Sequence, residues 1–231
     1  MPVFCDVVLV SDAKNNVLRN LTANAIKSAG NSVNIIVVES NEKVVYENAQ
    51  VIHAKVPFNY NHYLNIGAHA GNSPFIFFGN NDLIFNADWD TELIETMNKN
   101  NADSASPICP YTHSIFDIGI NSGIYEGYDN IRRFCGWAFM WRRSLFEEAG
   151  GLDESFSFWC SDNCTIEQLI NLNKKHILVT SSIVNHLSKG HNTIRFSDGE
   201  TQQKYTFSET EKFIKKYGKD WRINWPPLYE L

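Results

Sequence analysis

The first eighty residues fix the class of fold. Short apolar runs alternate there with helical patterns, and the runs carry no polar face to turn toward water. Val7-Val8-Leu9-Val10 reads as a strand buried on both sides. Val17, Leu18, Leu21, Ala25, Ile26 and Ala29 then recur at three- and four-residue spacing, which predicts a helix stopped by Gly30. Residues 33–38 predict a second buried strand ending in Glu39-Ser40-Asn41, and Val51-Ile52 predicts a weaker third. Tyr63, Leu64, Ile66, Gly67 and Ala70 predict a short helix, and the FIFF run at 75–78 the next strand. This alternation implies a parallel sheet with right-handed crossovers, a Rossmann-like nucleotide-binding half. No G-x-G-x-x-G follows the first strand and no G-x-x-x-x-G-K-[ST] occurs, so dinucleotide and P-loop readings lose their support.

The second half is less regular. Residues 90–98 predict a helix with Leu93, Ile94 and Met97 on one face. The stretch 101–133 is polar and contains glycine, and it reads as a long excursion. Strands are predicted at 138–141 and 177–179, and helices at 144–149 (ended by Gly150-Gly151) and 163–173. From Leu187 to Phe207 the chain turns polar, as a mobile loop or lid would. Ser208 and Glu211 form a capping-box pattern that predicts a helix from there to Tyr217, closed by Gly218. The tail WRINWPPLYEL is expected to pack back on the body. The organisation predicted is one domain over 1–190, with 191–231 supplying lid loop, C-terminal helix and tail.

Composition narrows the class further. With 231 residues, 43% hydrophobic and 13% aromatic, the chain can bury one sizeable core and is not a disordered segment. Its net charge of −6 gives no general case for nucleic-acid binding. The N-terminus lacks the pattern of a secretory signal, and no segment approaches the ~20 apolar residues of a membrane span. A soluble, cytoplasmic protein is the expectation. Cys5, Cys109, Cys135, Cys160 and Cys164 are then expected as free thiols, since Cys160 and Cys164 lack a second pair with zinc-site spacing.

In open α/β sheets ligands bind at the carboxyl ends of the strands. Ser11-Asp12, Glu39, Asn80-Asn81-Asp82 and His186 all fall there. A carboxylate and an imidazole can share a divalent cation and leave positions open for a diphosphate, which points to Asp82 and His186. Asp12 or Glu39 can accept hydrogen bonds from a base or ribose. The literal Asp-x-Asp at Asp88-Trp89-Asp90 competes with Asp82, but it sits where a helix begins, and there acidic residues serve the helix dipole. His191 is the rival of His186. Trp137 and Trp159 are either core or platforms for a sugar ring. Lys189 and Arg195, in the lid, either contact a diphosphate or keep a loop soluble.

Residues 134–168, FCGWAFMWRRSLFEEAGGLDESFSFWCSDNCTIEQL, closely resemble the second half of family 2 glycosyltransferases of the GT-A fold. Gly136, Arg142-Arg143, Phe146, Gly150-Gly151-Leu152-Asp153-Glu154, Phe156 and Asp162 fall in register with that pattern. GNNDLIF is similar to the family's metal motif in its Asn-Asn-Asp form, and VNHLSKGHNT to its downstream histidine segment. The resemblance spans roughly 5–195. It implies a Rossmann-like α/β fold with a mostly parallel central sheet flanked by helices. It also implies transfer of a sugar from a nucleotide-sugar donor, UDP-linked by preference, to a hydroxyl acceptor with inversion at the anomeric carbon. Asp82 and His186 would hold Mn2+ or Mg2+, and Asp162 would be the general base. Ser11, Asp12, Glu39, Asn65, Asn81, Lys189 and Arg195 would form the donor site, and Gly136, Trp137 and Trp159 the acceptor site.

The chain departs from the pattern at Ser161, where a glutamate usually precedes the base, and at Cys164, often an aspartate. Two other readings stay open on the sequence. One is a transferase acting on hydroxymethylated bases of DNA, through a basic face of Lys189, Arg195, Lys204, Lys215 and Lys216. The other is a catalytically inactive protein that binds nucleotide-sugars or carbohydrate.

Overall fold

The computed structural model describes residues 4–187 and 199–219, with 199–205 described through their backbone alone. The first half follows the alternation of the sequence. β1 (Cys5–Ser11), α1 (Asn16–Ala29), β2 (Asn34–Glu39), β3 (Gln50–His53), α2 (Tyr60–Ala70) and β4 (Phe75–Asn80) form a parallel ladder in the order β3-β2-β1-β4. Both long helices start on an asparagine cap. Asn15 accepts from Leu18 N and Asn59 from His62 N, each at 3.0 Å, which satisfies a helix N–H that has no carbonyl partner.

The apolar runs are continuous because both faces of this sheet are covered. Val7, Leu9, Val37 and Phe77 pack on one side with Ala25, Ile26 and Trp89. Val8, Val38, Ile76 and Phe78 pack on the other with Leu64, Trp141 and Phe146. Each such side chain contributes about 1.5–3 kcal/mol on burial.

The second half is β5 (Leu83–Phe85), α3 (Trp89–Lys99), β6 (Ser104–Ile108), α4 (Pro110–His113), β7 (Ile124–Glu126), β8 (Ala138–Arg142), α5 (Arg143–Ala149), α6 (Ser161–Asn171), β9 (His176–His186) and α7 (Gly199–Tyr217). β8 enters antiparallel between β4 and β6. β6 runs parallel to β9, and β5 and β7 pair antiparallel with β9. The whole sheet is therefore mixed, with its parallel block at the β3-to-β4 side.

Several expectations need correction. The 101–133 excursion contains two strands and a helical turn. β6 was hidden because its residues, SASPI, look like a loop; yet Ser104 Oγ lies 2.7 Å from His176 Nδ1, and Ser106 Oγ accepts from Cys135 N at 3.0 Å. The strand expected at 177–179 is the eleven-residue β9. Its Thr180-Ser181-Ser182 centre broke the apolar run, but Thr180 and Ser182 are buried and bonded to Gly123 O and Trp89 O. Ser208 does not open a helix, because α7 already runs from Gly199, so part of the expected 187–207 loop is helical. Gly218 follows its end at φ +68°.

α7 fastens to the body. Glu209 accepts from Ser157 N and Phe158 N, Phe213 packs on Phe156, and Lys216 and Tyr217 reach Asp153. Burial pushes the Asp153 carboxyl up, but the Lys216, Ser155 and Tyr217 hydrogen bonds outweigh it and hold the pKa down at about 2. Lys216, counted above in a basic face, is thus committed to a carboxylate. All five cysteines are free and buried. No helix among the described residues is long and apolar enough to cross a membrane.

Candidate active site

β4 ends in Asn80, and the chain turns through Asn81-Asp82 into β5. The pairing of β5 with β9 sets Leu83 opposite His186, and Leu187 N donates to Asp82 O at 3.0 Å. This register brings Asp82 Oδ1 within 3.3 Å of His186 Nε2, with side chains only 4% and 5% exposed. The contact falls outside hydrogen-bond geometry, and Asp82 Oδ1 has no hydrogen-bond partner among the described residues. A buried carboxylate oxygen without a donor is costly, on the order of several kcal/mol if charged, unless something else satisfies it.

The imidazole is held from two other directions. Trp137 stacks on it with ring centres 4.7 Å apart and planes 8° from parallel. Asn80 Nδ2 lies 3.2 Å from Nε2, while Asn80 Oδ1 accepts from the Tyr60 hydroxyl at 2.7 Å. Burial, and then the charges of Asp82 and Asp162, push the Tyr60 hydroxyl far above its ordinary pKa, so it stays a donor.

Asp162 and His186 both line a cavity of ≈140 Å³, with Tyr60, Asn80, Trp137 and Trp159 also in the wall. It stands in the first turn of α6, which begins at Ser161 after Cys160 in a left-handed conformation (φ +60°), so it is not the helix cap. Its Oδ1 accepts from Asn163 N at 2.8 Å and its Oδ2 from Asn130 Nδ2 at 2.7 Å. Burial raises its pKa, partly offset by these hydrogen bonds. Gly136 gives it room: a Cβ there would lie 2.4 Å from Asp162 Cβ. A carboxylate with a raised pKa at the wall of a small cavity can accept a proton from a hydroxyl.

The other sequence candidates divide. Ser11, Glu39 and Asn81 gather at the same sheet edge, joined through two residues the sequence did not single out, Thr22 and Tyr46. Thr22 Oγ1 meets Ser11 Oγ at 2.9 Å and Asn81 Nδ2 at 3.0 Å; the Tyr46 hydroxyl meets Glu39 Oε2 at 3.0 Å and Ser11 Oγ at 3.2 Å. Glu39 Oε1 accepts from Ala13 N and Asn41 N, and Asp12 pairs with Lys14 at 2.9 Å. Asn65 is not in this group. Its amide is spent on Leu152 and Glu154, where it braces the turn that holds Gly151 at φ +94°. Lys189, Arg195 and His191 lie outside the described residues. Asp88 precedes α3 without a side-chain cap bond, and Asp90 accepts from Ser32 at 2.8 Å in its first turn.

Tyr60 and Asn130 were also missed. Reading Asn59 as a helix cap would have placed Tyr60 at a helix start beside the strand ends; nothing in the sequence marks Asn130.

Among the described residues no three His, Cys, Asp or Glu side chains cluster as a metal site. The donor set still fits a divalent cation in part. Asp82 and His186 offer one hard oxygen without a donor and one imidazole nitrogen, leaving the remaining positions to ligand oxygens.

This sheet, with helices on both faces, is that of the GT-A glycosyltransferase fold. One solved structure that shares it is GalNAc-T7 with UDP, GalNAc and Mn2+. It matches at a TM-score of 0.61 and 14% identity, over 80% of this chain and 44% of that one. The chain thus spans less than half the length of that protein, and the likeness is one of fold. No protein-family model matches the sequence, and a search of curated proteins finds no match.

Proposed function

We propose that the chain is a metal-dependent, inverting glycosyltransferase of the family 2 kind, which moves a sugar from a nucleotide-sugar to a hydroxyl of a saccharide acceptor. The observation that carries this is the gathering of three groups about one cavity at the sheet edge. Asp82 Oδ1, without a donor, stands beside His186 Nε2, and His186 lines the same cavity as Asp162, whose carboxyl pKa is raised by burial. Asp82 and His186 would hold Mn2+ or Mg2+, which when bound offsets the charge that builds on a departing nucleoside diphosphate. The Mn2+ and UDP in the GalNAc-T7 structure support that choice of metal and nucleotide.

Asp162 takes the proton from the acceptor hydroxyl as that oxygen attacks the anomeric carbon. Attack from the side opposite the leaving diphosphate inverts the configuration. Trp137 and Trp159 line the cavity and would meet the sugars there, with Trp137 stacked on His186. Ser11, Glu39 and Asn81 would meet the nucleoside.

Transfer from UDP-sugars, measured with and without a chelator, tests the reading. Asp82→Asn should remove Mn2+-dependent transfer while the protein stays folded. Full activity in the presence of chelator would sink the metal assignment.

A further inference from the structure

Asn130 stands in a turn that has no evident reason to be shaped as it is. The residue after it, Ile131, has φ +68°, a conformation that a β-branched residue adopts only when its surroundings force it. The surroundings do force it. Ile131 N donates to Phe134 O at 2.8 Å, and Arg133 N and Phe134 N both donate to Asp129 O. Phe134 is fully buried, 5.0 Å from both the Phe139 and His176 rings. Burial lowers the pKa of His176 to about 4, so it is neutral; its Nε2–H donates to Arg133 O at 3.1 Å and its Nδ1 accepts from Ser104 Oγ. The turn is thus nailed to β6 and β9, and its product is one contact: Asn130 Nδ2 on Asp162 Oδ2 at 2.7 Å. The other end of the same amide, Oδ1, is buried and has no partner among the described residues. An amide that leaves its own acceptor unpaired is oriented by the carboxylate it donates to.

We infer that the strained 129–134 turn exists to present Asn130 as a positioning residue, which fixes the Asp162 carboxylate and favours its ionised form. The inference rests on the reading of Asp162 as the base. The groups facing Asp162 are few. Asn163 N and Cys164 lie on its own helix, and Tyr60 on α2. His186 on β9, with Asp82 beside it, lines the same cavity. Tyr60 is a neutral phenol and Cys164 a neutral thiol, its pKa raised by burial. Among these, Asn130 is the side chain that donates to the carboxylate. A donor to the charged form holds a carboxyl pKa down, so its loss must move the pKa up.

The test is a 13C titration of the Asp162 carboxyl in full-length aspartate-labelled protein, with the resonance assigned by its absence in Asp162→Asn. Asn130→Ala should move the midpoint up by about one pH unit, and Asn130→Asp, which puts a second carboxylate there, further still. The acid limb of kcat/KM should move with it, so that Asn130→Ala loses roughly tenfold at the foot of the limb and recovers at higher pH. A midpoint unchanged in both variants overturns the inference. A midpoint that moves in a protein with no transfer activity would instead overturn the role of Asp162 as base and leave the inference standing.

Discussion

Gly136→Ala is the sharpest test of how Asp162, the proposed base, is seated. The glycine is not needed for its backbone angles, since its φ is not positive. It is needed for space. An added Cβ would sit 2.4 Å from Asp162 Cβ, whereas two carbons rest at about 3.5–4.0 Å. Something must therefore move by about 1 Å. The glycine side is held by the start of β8 and by Tyr60, whose hydroxyl lies 3.3 Å from Gly136 O. The Asp162 side is a first helical turn with two hydrogen bonds to the carboxylate, so Asp162 is the group that yields. A misplacement of about 1 Å can cost on the order of 100-fold in rate, which is about 2.7 kcal/mol of barrier. Overpacking should cost about 1–3 kcal/mol of stability besides. The assay is kcat/KM for the acceptor beside a urea unfolding curve. Because the donor side is untouched, binding of the nucleotide should not change. In an Asp162→Asn background the same alanine should cost almost no further rate, because the proposed base is already gone. A Gly136→Ala enzyme with wild-type kcat/KM would refute the reasoning, as would an equal loss in the Asp162→Asn background.

Two other outcomes follow from the same geometry. Asp162→Asn should lower transfer by about 100- to 10,000-fold, the usual span for a general base, and still fold. Asn130 can turn its unpaired Oδ1 toward the new amide. Since the folded pKa of Asp162 is raised, its ionisation costs stability as pH rises from the ordinary carboxyl range through the raised value. The asparagine variant should therefore be more stable than wild type at neutral pH, with the gap closing in acid; a less stable variant at pH 7 would contradict this. Asp153 behaves in the opposite sense. Its pKa is depressed to about 2, so the stability it lends to the seat of α7 is present above the ordinary carboxyl value and is lost as pH falls toward 2. Lys216→Met should flatten that acid dependence in urea titrations, and an unaltered slope would remove Lys216 from the account.

How much of this was legible depends on what each residue type advertises. β1, β2 and β4 were readable because cover on both faces leaves a continuous apolar run in the middle of each, with Asp6, Ser11, Asn34, Glu39 and Asn80 only toward the ends. The Asn-Asn-Asp turn was readable because it follows such a strand directly. The literal Asp-x-Asp at 88–90 matches the letters, but it stands at the start of α3. β6 and the middle of β9 were not readable, because Ser104, Ser106, Thr180 and Ser182 are polar letters that the fold buries with partners far away in sequence. The same non-locality hid Asn130, Thr22 and Tyr46. Each matters through a contact distant in the chain: Asn130 with Asp162, Thr22 with Asn81, Tyr46 with Ser11. Ser208 failed for the opposite reason. Its local pattern was a good capping box, but a helix already passing through overrode it, and its neighbour Glu209 reaches out to hold the 157–158 backbone instead.

Asp82 and His186 are proposed to hold a metal against a nucleoside diphosphate. Calorimetric titration of UDP into the protein, with Mn2+ and then with chelator, addresses it without needing the acceptor. The account predicts that UDP binds when Mn2+ is present, weakens at least tenfold when it is removed, and loses this metal dependence in Asp82→Asn. UDP binding that is the same with and without Mn2+, in wild type and variant alike, would contradict it.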